Sequence, residues 1–355
     1  MWEFYIIFVI SELTFMFHEQ NYQIRKKFLW SARILLTELL IKIEITQLLY
    51  MRCHLHNRFI SIKMKEDSKL TNMKYYLKLM RIKHYIKNLL IFFPLVFSRN
   101  LFTHNFFNVM IAAIAFSLLS SAVYVLNDIR DAEKDREHSV KKNRPIASGA
   151  VTVSHAVVFL VVLILISVCL SFIAYGFSLT PWLITIMYFV LNLGYSFGLK
   201  NIPLIDIAIL TSGFLLRAML GAVVINVTVS NWLYLTIMSL AFYLSLAKRR
   251  NELAKQESNN TRKVLKFYNY NFLDKNMTVF LTLSLVFYSL WCINAFSSQI
   301  MVFSIPILML IVLRYSMIIE NDSQGDPVDV VLTDIPLLLV ILIYIILIFS
   351  ILYLI

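Results

Sequence analysis

A series of long apolar runs constrains this chain more than any other feature. Stretches long enough to cross a bilayer as helices, roughly 17 to 25 residues each, can be read near 88–103, 106–126, 154–176, 180–198, 204–225, 231–247, 277–297, 300–319 and 335–355. They predict nine spans, the first of them the weakest. Hydrophobic residues fill 59% of the 355 positions and charged ones only 15%, a balance that no water-soluble core requires. The runs are continuously apolar, whereas the strands of a membrane barrel would alternate and be about half as long. The expected fold is therefore all-α and integral to the membrane.

Charge placement then sets the topology, because basic residues collect in short cytoplasmic loops. The segments 127–153, 198–203, 248–276 and 320–334 hold most of the charges of this region. The alternate turns, Gly176 to Thr180, Asn226 to Asn231 and Ser297 to Gln299, contain no ionisable side chain. Four charged loops facing the cytoplasm put the carboxyl end outside, and Arg99 is the exception on the uncharged side. The expected location is the inner cell membrane, crossed many times, with the working face towards the cytoplasm.

Residues 1–63 fit poorly with the rest of the chain, having one short apolar start from Trp2 to Ile10 and then mixed charges. They read either as an over-extended start ahead of Met64 or Met73, or as an interfacial helix pair. No small-residue cleavage site marks a signal peptide. Residues 64–355 form the polytopic domain. Cys53, Cys169 and Cys292 are isolated, so neither a disulfide framework nor a zinc site is expected. The net charge of +12 suits an anionic leaflet or a phosphate substrate, and nucleic acid is not expected as a partner.

Chemistry must come from the cytoplasmic loops. Asn127-Asp128-Ile-Arg-Asp131-Ala-Glu-Lys-Asp135 places acids at the polar end of a long apolar run. On a helix, offsets of three and seven residues bring Asp128, Asp131 and Asp135 onto one face. Carboxylates massed this way repel unless a cation joins them. Hard oxygen ligands at a membrane edge suit magnesium, which keeps waters and bridges to substrate phosphates. The competing expectation is a solvated helix end, with Arg130, Lys134 and Arg136 pairing locally with the acids.

Other candidates line the same face. Arg81-Ile-Lys83-His-Tyr-Ile-Lys87-Asn88 opens the first span, where Lys87 could meet phosphate and Asn88 could donate within a partly dry cavity. Lysines there can also be interface anchors. Lys141-Lys142-Asn143-Arg144-Pro145-Ile-Ala-Ser-Gly149 is a basic turn beside the acids. Tyr195, Lys200 and Asp206 flank the next charged loop. Arg217 falls some thirteen residues into a span, near mid-bilayer, where a charge costs on the order of 3 kcal/mol and usually faces a cavity or a partner. Lys248-Arg249-Arg250-Asn251-Glu252 and Arg314-Tyr315 through Asp334 could add phosphate clamps.

Taken together in order and spacing, these residues resemble the UbiA-type polyprenyl transferase superfamily. Within it they are most similar to the decaprenyl-phosphate phosphoribosyltransferase branch. The likeness spans about residues 78–355. It rests on Arg81 to Asn88, Asn127-Asp128 with Asp131 and Asp135, and Lys142 to Gly149. It rests also on Tyr195 with Lys200 and Asp206, Gly213 to Arg217, Lys248-Arg249 with Glu252-Leu253, and Arg314-Tyr315 with Gly325, Pro327 and Asp334. Two departures stand out. The family's Arg-Pro opening is Arg81-Ile82 here, and the loop after the sixth span is cationic where prenyl-diphosphate users carry a second aspartate pair.

The resemblance implies about nine transmembrane helices surrounding a central cavity open to the cytoplasm. It implies transfer of a 5-phosphoribosyl group from phosphoribosyl diphosphate to a polyprenyl phosphate, as a step towards cell-surface glycan. Asp128, Asp131 and Asp135 would hold Mg2+ and be catalytic. Asn88, Asn127, Arg144, Tyr195 and Asp206 would line the substrates, with Lys87, Lys200 or Arg217 orienting the lipid phosphate and Lys248, Arg249 and Arg250 recognising the ribose phosphate. The alternatives are a prenyltransferase that alkylates an aromatic acceptor, or a membrane carrier of a lipid or ion. Self-association into a homo-oligomer is left open.

Overall fold

The computed structural model describes residues 73–138, 141–254, 263–295, 299–321 and 327–354, together with Trp30, Thr37, Lys42, Met51 and Arg52. Beyond those five positions, the expectations for residues 1–63 lie outside the described residues, as do those for Gly325. Two compact units divide the chain, Met1–Asn72 and Met73–Ile355. Among the described residues, the helices long and apolar enough to cross a bilayer lie in the second.

Helix α1 (73–80) is followed by a 3-10 segment, Ile82–Phe92, and by α2 (Phe93–Phe97). Then come α3 (Asn105–Arg130), α4 (Ala132–Glu137), α5 (Val153–Tyr175), α6 (Leu179–Phe197), α7 (Ile205–Val224) and α8 (Asn231–Ala254). The chain closes with α9 (Tyr270–Ala295), α10 (Ser304–Asn321), α11 (Pro327–Thr333) and α12 (Ile335–Tyr353). No strand occurs among the described residues.

Seven of these helices, α3, α5, α6, α7, α9, α10 and α12, are long and apolar enough to cross a bilayer. The chain is thus an all-α, multi-pass membrane protein. The 24-residue α8 has the length to span, but Lys248, Arg249, Arg250 and Glu252 occupy its last turns. The weakest expected span begins earlier than the run at 88–103 suggested, at Ile82. A 3-10 helix climbs about 2.0 Å per residue against 1.5 Å for an α-helix, so Ile82–Phe97 extends about 30 Å, the thickness of the hydrocarbon core. Sixteen residues thereby cover what a plain α-helix would need about twenty to cross.

Packing divides the bundle into buried clusters. Ile91, Leu95, Phe116, Leu216 and Leu220 tie the first segment to α3 and α7. Leu246, Leu273, Tyr315 and Leu337 join α8, α9, α10 and α12. Val158, Leu165 and Ile173 on α5, and Ile343 and Ile346 on α12, stay exposed as lipid-facing surface. Because lipid supplies no hydrophobic drive between helices, close approach and polar contacts matter more. Ser167 of α5 donates to the Ala115 carbonyl of α3 at 2.7 Å. At Gly221 of α7 a side chain would put Cβ 1.9 Å from the Ile91 carbonyl oxygen, so only glycine lets the two backbones meet.

Candidate active site

At its polar end α3 stops at Arg130, Asp131 forms the cap with φ −89° and ψ 1°, and α4 resumes at once. The backbone bonds nevertheless run on, from the Asp131 amide to the Asn127 carbonyl at 2.9 Å and from the Asp135 amide to the Asp131 carbonyl at 2.8 Å. Asp128 and Asp135, both buried, converge on one guanidinium nitrogen, Arg144 Nη1, at 3.1 and 2.6 Å. Asp131 turns instead to Lys200, whose Nζ lies 2.8 and 2.7 Å from its two oxygens. The three acids expected on one face thus divide between two partners, Arg144 for Asp128 and Asp135 and Lys200 for Asp131.

Arg81 completes the cluster. Its backbone is left-handed, φ 53°, at the junction between α1 and the 3-10 segment. A non-glycine residue in that region carries a cost of order 1 kcal/mol or more and persists where the surroundings hold it. Here the turn sends the guanidinium to Asp128 Oδ1 at 2.5 Å and over the Tyr124 ring. The Arg81-Ile82 step is thus a sharp bend that aims a cation at the first aspartate. The expected local pairing does not occur for two of the three neighbouring cations. Arg130 stacks on the Phe197 ring at 4.2 Å, and Arg136 donates to the Ala147 carbonyl at 3.3 Å. The acids take their partners from outside their own helices, Arg144 from the following turn and Arg81 and Lys200 from distant elements.

Beside them, burial and then the nearby Lys141 charge hold the His138 imidazole below its ordinary pKa. Ser196 donates to Asn127 Oδ1 at 3.5 Å. Among the described residues no group of three or more His, Cys, Asp or Glu side chains is gathered to hold a metal. The donor chemistry nevertheless fits magnesium at two of the three aspartates. Asp128 and Asp135 supply hard oxygens to one shared positive charge, and this ion commonly takes one or two carboxylates plus phosphates and water. Asp131 joins such a set only if its pair with Lys200 opens.

A second cluster lies where α7 and α8 meet. Arg249, fully buried, donates from Nε to Asp206 Oδ2 at 2.5 Å, from Nη1 to Glu252 at 2.5 Å and from Nη2 to the Tyr195 hydroxyl at 3.1 Å. The Tyr268 hydroxyl donates to Asp206 Oδ1 at 2.6 Å and accepts from the Leu204 amide at 2.7 Å. Tyr195, Asp206 and Arg249 are therefore together as expected, but within a closed network in which neither Asp206 nor Arg249 exposes side-chain surface. Lys248 is half-buried on the preceding position. Arg250, one residue on and about 100° round the helix, leaves this group and pairs with Asp274 of α9 at 2.5 Å.

Arg217 sits deeper. Nε donates to Asn88 Oδ1 at 2.7 Å, Nη1 to the Gly213 carbonyl at 2.5 Å and Nη2 to the Tyr188 hydroxyl at 3.2 Å. The guanidinium also lies against the Phe116 and Tyr188 rings, 5.1 and 5.0 Å from their centroids. Asn88 in turn donates to Ser117 Oγ at 2.8 Å. Lys87 is half-buried on the same 3-10 segment. Arg81, Glu252, Tyr268 and Asp274 were not singled out as site residues by the sequence. Arg81 and Glu252 stood within motifs already noted; Tyr268 and Asp274 carried no signal beyond lying in or just past a charged loop.

Known proteins share this architecture. The model of the UbiA prenyltransferase family matches residues 89–331. The decaprenyl-phosphate phosphoribosyltransferase of Corynebacterium glutamicum is 33% identical over 273 residues, covering 73% of this chain and 80% of that one. The enzyme of the same name from Mycolicibacterium smegmatis is 30% identical over 277 residues, covering 73% and 86%. Among solved structures, a UbiA homolog from Archaeoglobus fulgidus bound to GPP and Mg2+ superposes with a TM-score of 0.60 at 15% identity, over 78% of this chain and 99% of that one.

Proposed function

The chain belongs to the UbiA prenyltransferase family and is a membrane-embedded transferase, and on that footing we propose that it moves a 5-phosphoribosyl group from phosphoribosyl diphosphate to a polyprenyl phosphate. The bond from the anomeric carbon to the diphosphate oxygen breaks, and diphosphate leaves with the electron pair. A lipid phosphate oxygen forms the new bond to that carbon. This nucleophile is already ionised, so no strong general base is needed. The product, a lipid-linked pentose phosphate, would feed cell-surface glycan assembly from the cytoplasmic face of the inner membrane.

One observation carries the proposal: Arg81, Arg144 and Lys200 reach the three aspartates from three separate elements. A donor bearing a 5-phosphate as well as a diphosphate needs more positive charge than a prenyl diphosphate does. The names of the relatives at about one-third identity agree with that donor. Magnesium held by Asp128 and Asp135 would bind the diphosphate and neutralise the charge of the leaving group. Arg144, released from these carboxylates, would turn to the phosphates, where its planar fork can bind two oxygens at once. Asp131 keeps Lys200 beside the same site. The closed group of Arg249, Asp206 and Tyr195 positions the ends of α6, α7 and α8 around it and does not itself meet the donor.

The test supplies membranes holding the chain with labelled phosphoribosyl diphosphate, polyprenyl phosphate and magnesium. A parallel arm offers a prenyl diphosphate and an aromatic acceptor. Label is expected in the lipid fraction of the first arm only, with Asp128→Asn inserted normally and turning over at least about 100-fold more slowly. Product in the prenyl arm alone would overturn the proposal.

A further inference from the structure

Arg250 was expected among the substrate-binding cations, yet it opens onto a different place. Between α8, α9 and α10 lies a cavity of about 390 Å³, lined by Arg250, Asp274, Thr278, Ser316, Tyr243, Met277 and Leu281. Tyr243 is also a wall of a second cavity of about 200 Å³, which runs among Leu240, Leu244, Leu308, Ile311 and Ile341. The first chamber holds one positive group, one negative group and three hydroxyls. The second is apolar apart from Tyr243, Tyr315, Thr236 and Ser284 on its walls. Arg250 lies in the last turns of α8 and Asp274 in the first turns of α9, so the charges stand at the end of the bundle that carries the charged loops. Asp274 and Thr278 are exposed, leaving the charged chamber accessible from the α9 side.

We propose that this cleft, apart from the aspartate cluster, binds a bilayer phospholipid whose headgroup carries both a phosphodiester and a primary ammonium. Charge complementarity selects this occupant. Arg250 and Asp274 now satisfy each other, Nε to Oδ1 at 2.5 Å. A zwitterionic headgroup exchanges that one ion pair for two, its phosphate meeting the guanidinium and its ammonium meeting the carboxylate. An anionic headgroup would satisfy Arg250 and leave Asp274 facing a like charge. A quaternary ammonium carries the right charge but has no N–H to donate. Tyr243 and Ser316, joined at 2.7 Å, mark the level of the ester groups, and part of an acyl chain continues into the apolar chamber.

The experiment uses the full chain in nanodiscs of equal phosphatidylethanolamine, phosphatidylglycerol and phosphatidylcholine, followed by native mass spectrometry of the lipids retained after release. The parent is expected to keep phosphatidylethanolamine about ten-fold over either other lipid, the equivalent of one charge-assisted bond. Asp274→Asn should remove that preference, and Ile311→Trp, which fills the inner chamber, should lower retention of all three lipids. Equal retention by the parent overturns the proposal, as does an Asp274→Asn variant that keeps the preference. Stoichiometric displacement by polyprenyl phosphate would also overturn it, by making the cleft the acceptor's. The comparison of the three lipids on the parent stands even if a variant fails to fold.

Discussion

Arg217 Nε donates to Asn88 Oδ1 at 2.7 Å across 129 residues of chain. The bond ties α7 to the 3-10 segment deep in the bundle, and no carboxylate among the described residues balances the charge. Its neutral partners and the two aromatic faces take that role. The candidate anion-binding charge of the sequence is thus engaged in holding two spans together. In Asn88→Leu the guanidinium loses a buried acceptor. Thermal unfolding in detergent should report a loss of about 1 to 3 kcal/mol. An unchanged midpoint would mean that water or a ligand replaces the amide.

Arg144 occupies the carboxylate oxygens of Asp128 and Asp135 that the proposed metal would take. Replacing it by Gln should therefore strengthen binding of Mn2+, used as a spectroscopic stand-in for magnesium, while turnover falls. The two effects have opposite signs, which separates this role from simple unfolding. Electron paramagnetic resonance titration of the purified chain reads the first. Weaker metal binding in Arg144→Gln would remove Arg144 from between the acids and the ion.

Asp206 and Arg249 are both fully buried, and removing one partner of such a pair typically costs about 3 to 5 kcal/mol because the other charge is left bare. Asp206→Leu and Arg249→Met should each destabilise the chain strongly. The double variant should lose less than the two singles together. Unfolding midpoints of the four proteins test this; strict additivity would show that the pair is not coupled.

Tyr268 gives a pH signature. Burial, followed by its bond to Asp206, pushes the phenol up to about 12 from an ordinary 10. The neutral phenol is the form held in the folded chain. Its contribution is whole below pH 10, where the unfolded chain also keeps its proton, and is lost as pH rises towards about 12. Stability should therefore fall across that interval, and Tyr268→Phe should flatten the slope. An equal slope in both proteins would assign the alkaline loss elsewhere.

Much of the architecture was legible because a bilayer imposes a length and a composition on whatever crosses it. The acid motif was legible for a similar reason, since carboxylates next to an apolar run need a stated cause. Their partners were not. Arg81 and Lys200 lie 47 and 69 residues from the aspartates they bind, and nothing in one sequence pairs them. The break at Asp131 leaves no trace in the periodicity. Arg249 and Arg250 are neighbours in sequence yet face different helices, because one helical step turns the side chain about 100°. Hydropathy is also blind to the winding of the first span, whose 3-10 rise makes a short run long enough.

That winding does more than add reach. With three residues per turn, positions three apart stand directly above one another, so Tyr85, Asn88 and Ile91 form a straight column. Two of them meet their counterparts through side chains, Tyr85 bonding Ser121 at 2.8 Å and Asn88 bonding Ser117 at 2.8 Å, and the Ile91 backbone carbonyl lies against Gly221. In an α-helix the same positions would drift about 60° per step and the side chains of Tyr85 and Asn88 would no longer share one line. The segment therefore engages its neighbours like a rack on two fixed pinions, indexed at three teeth, and could neither slide nor rewind without disengaging all of them at once.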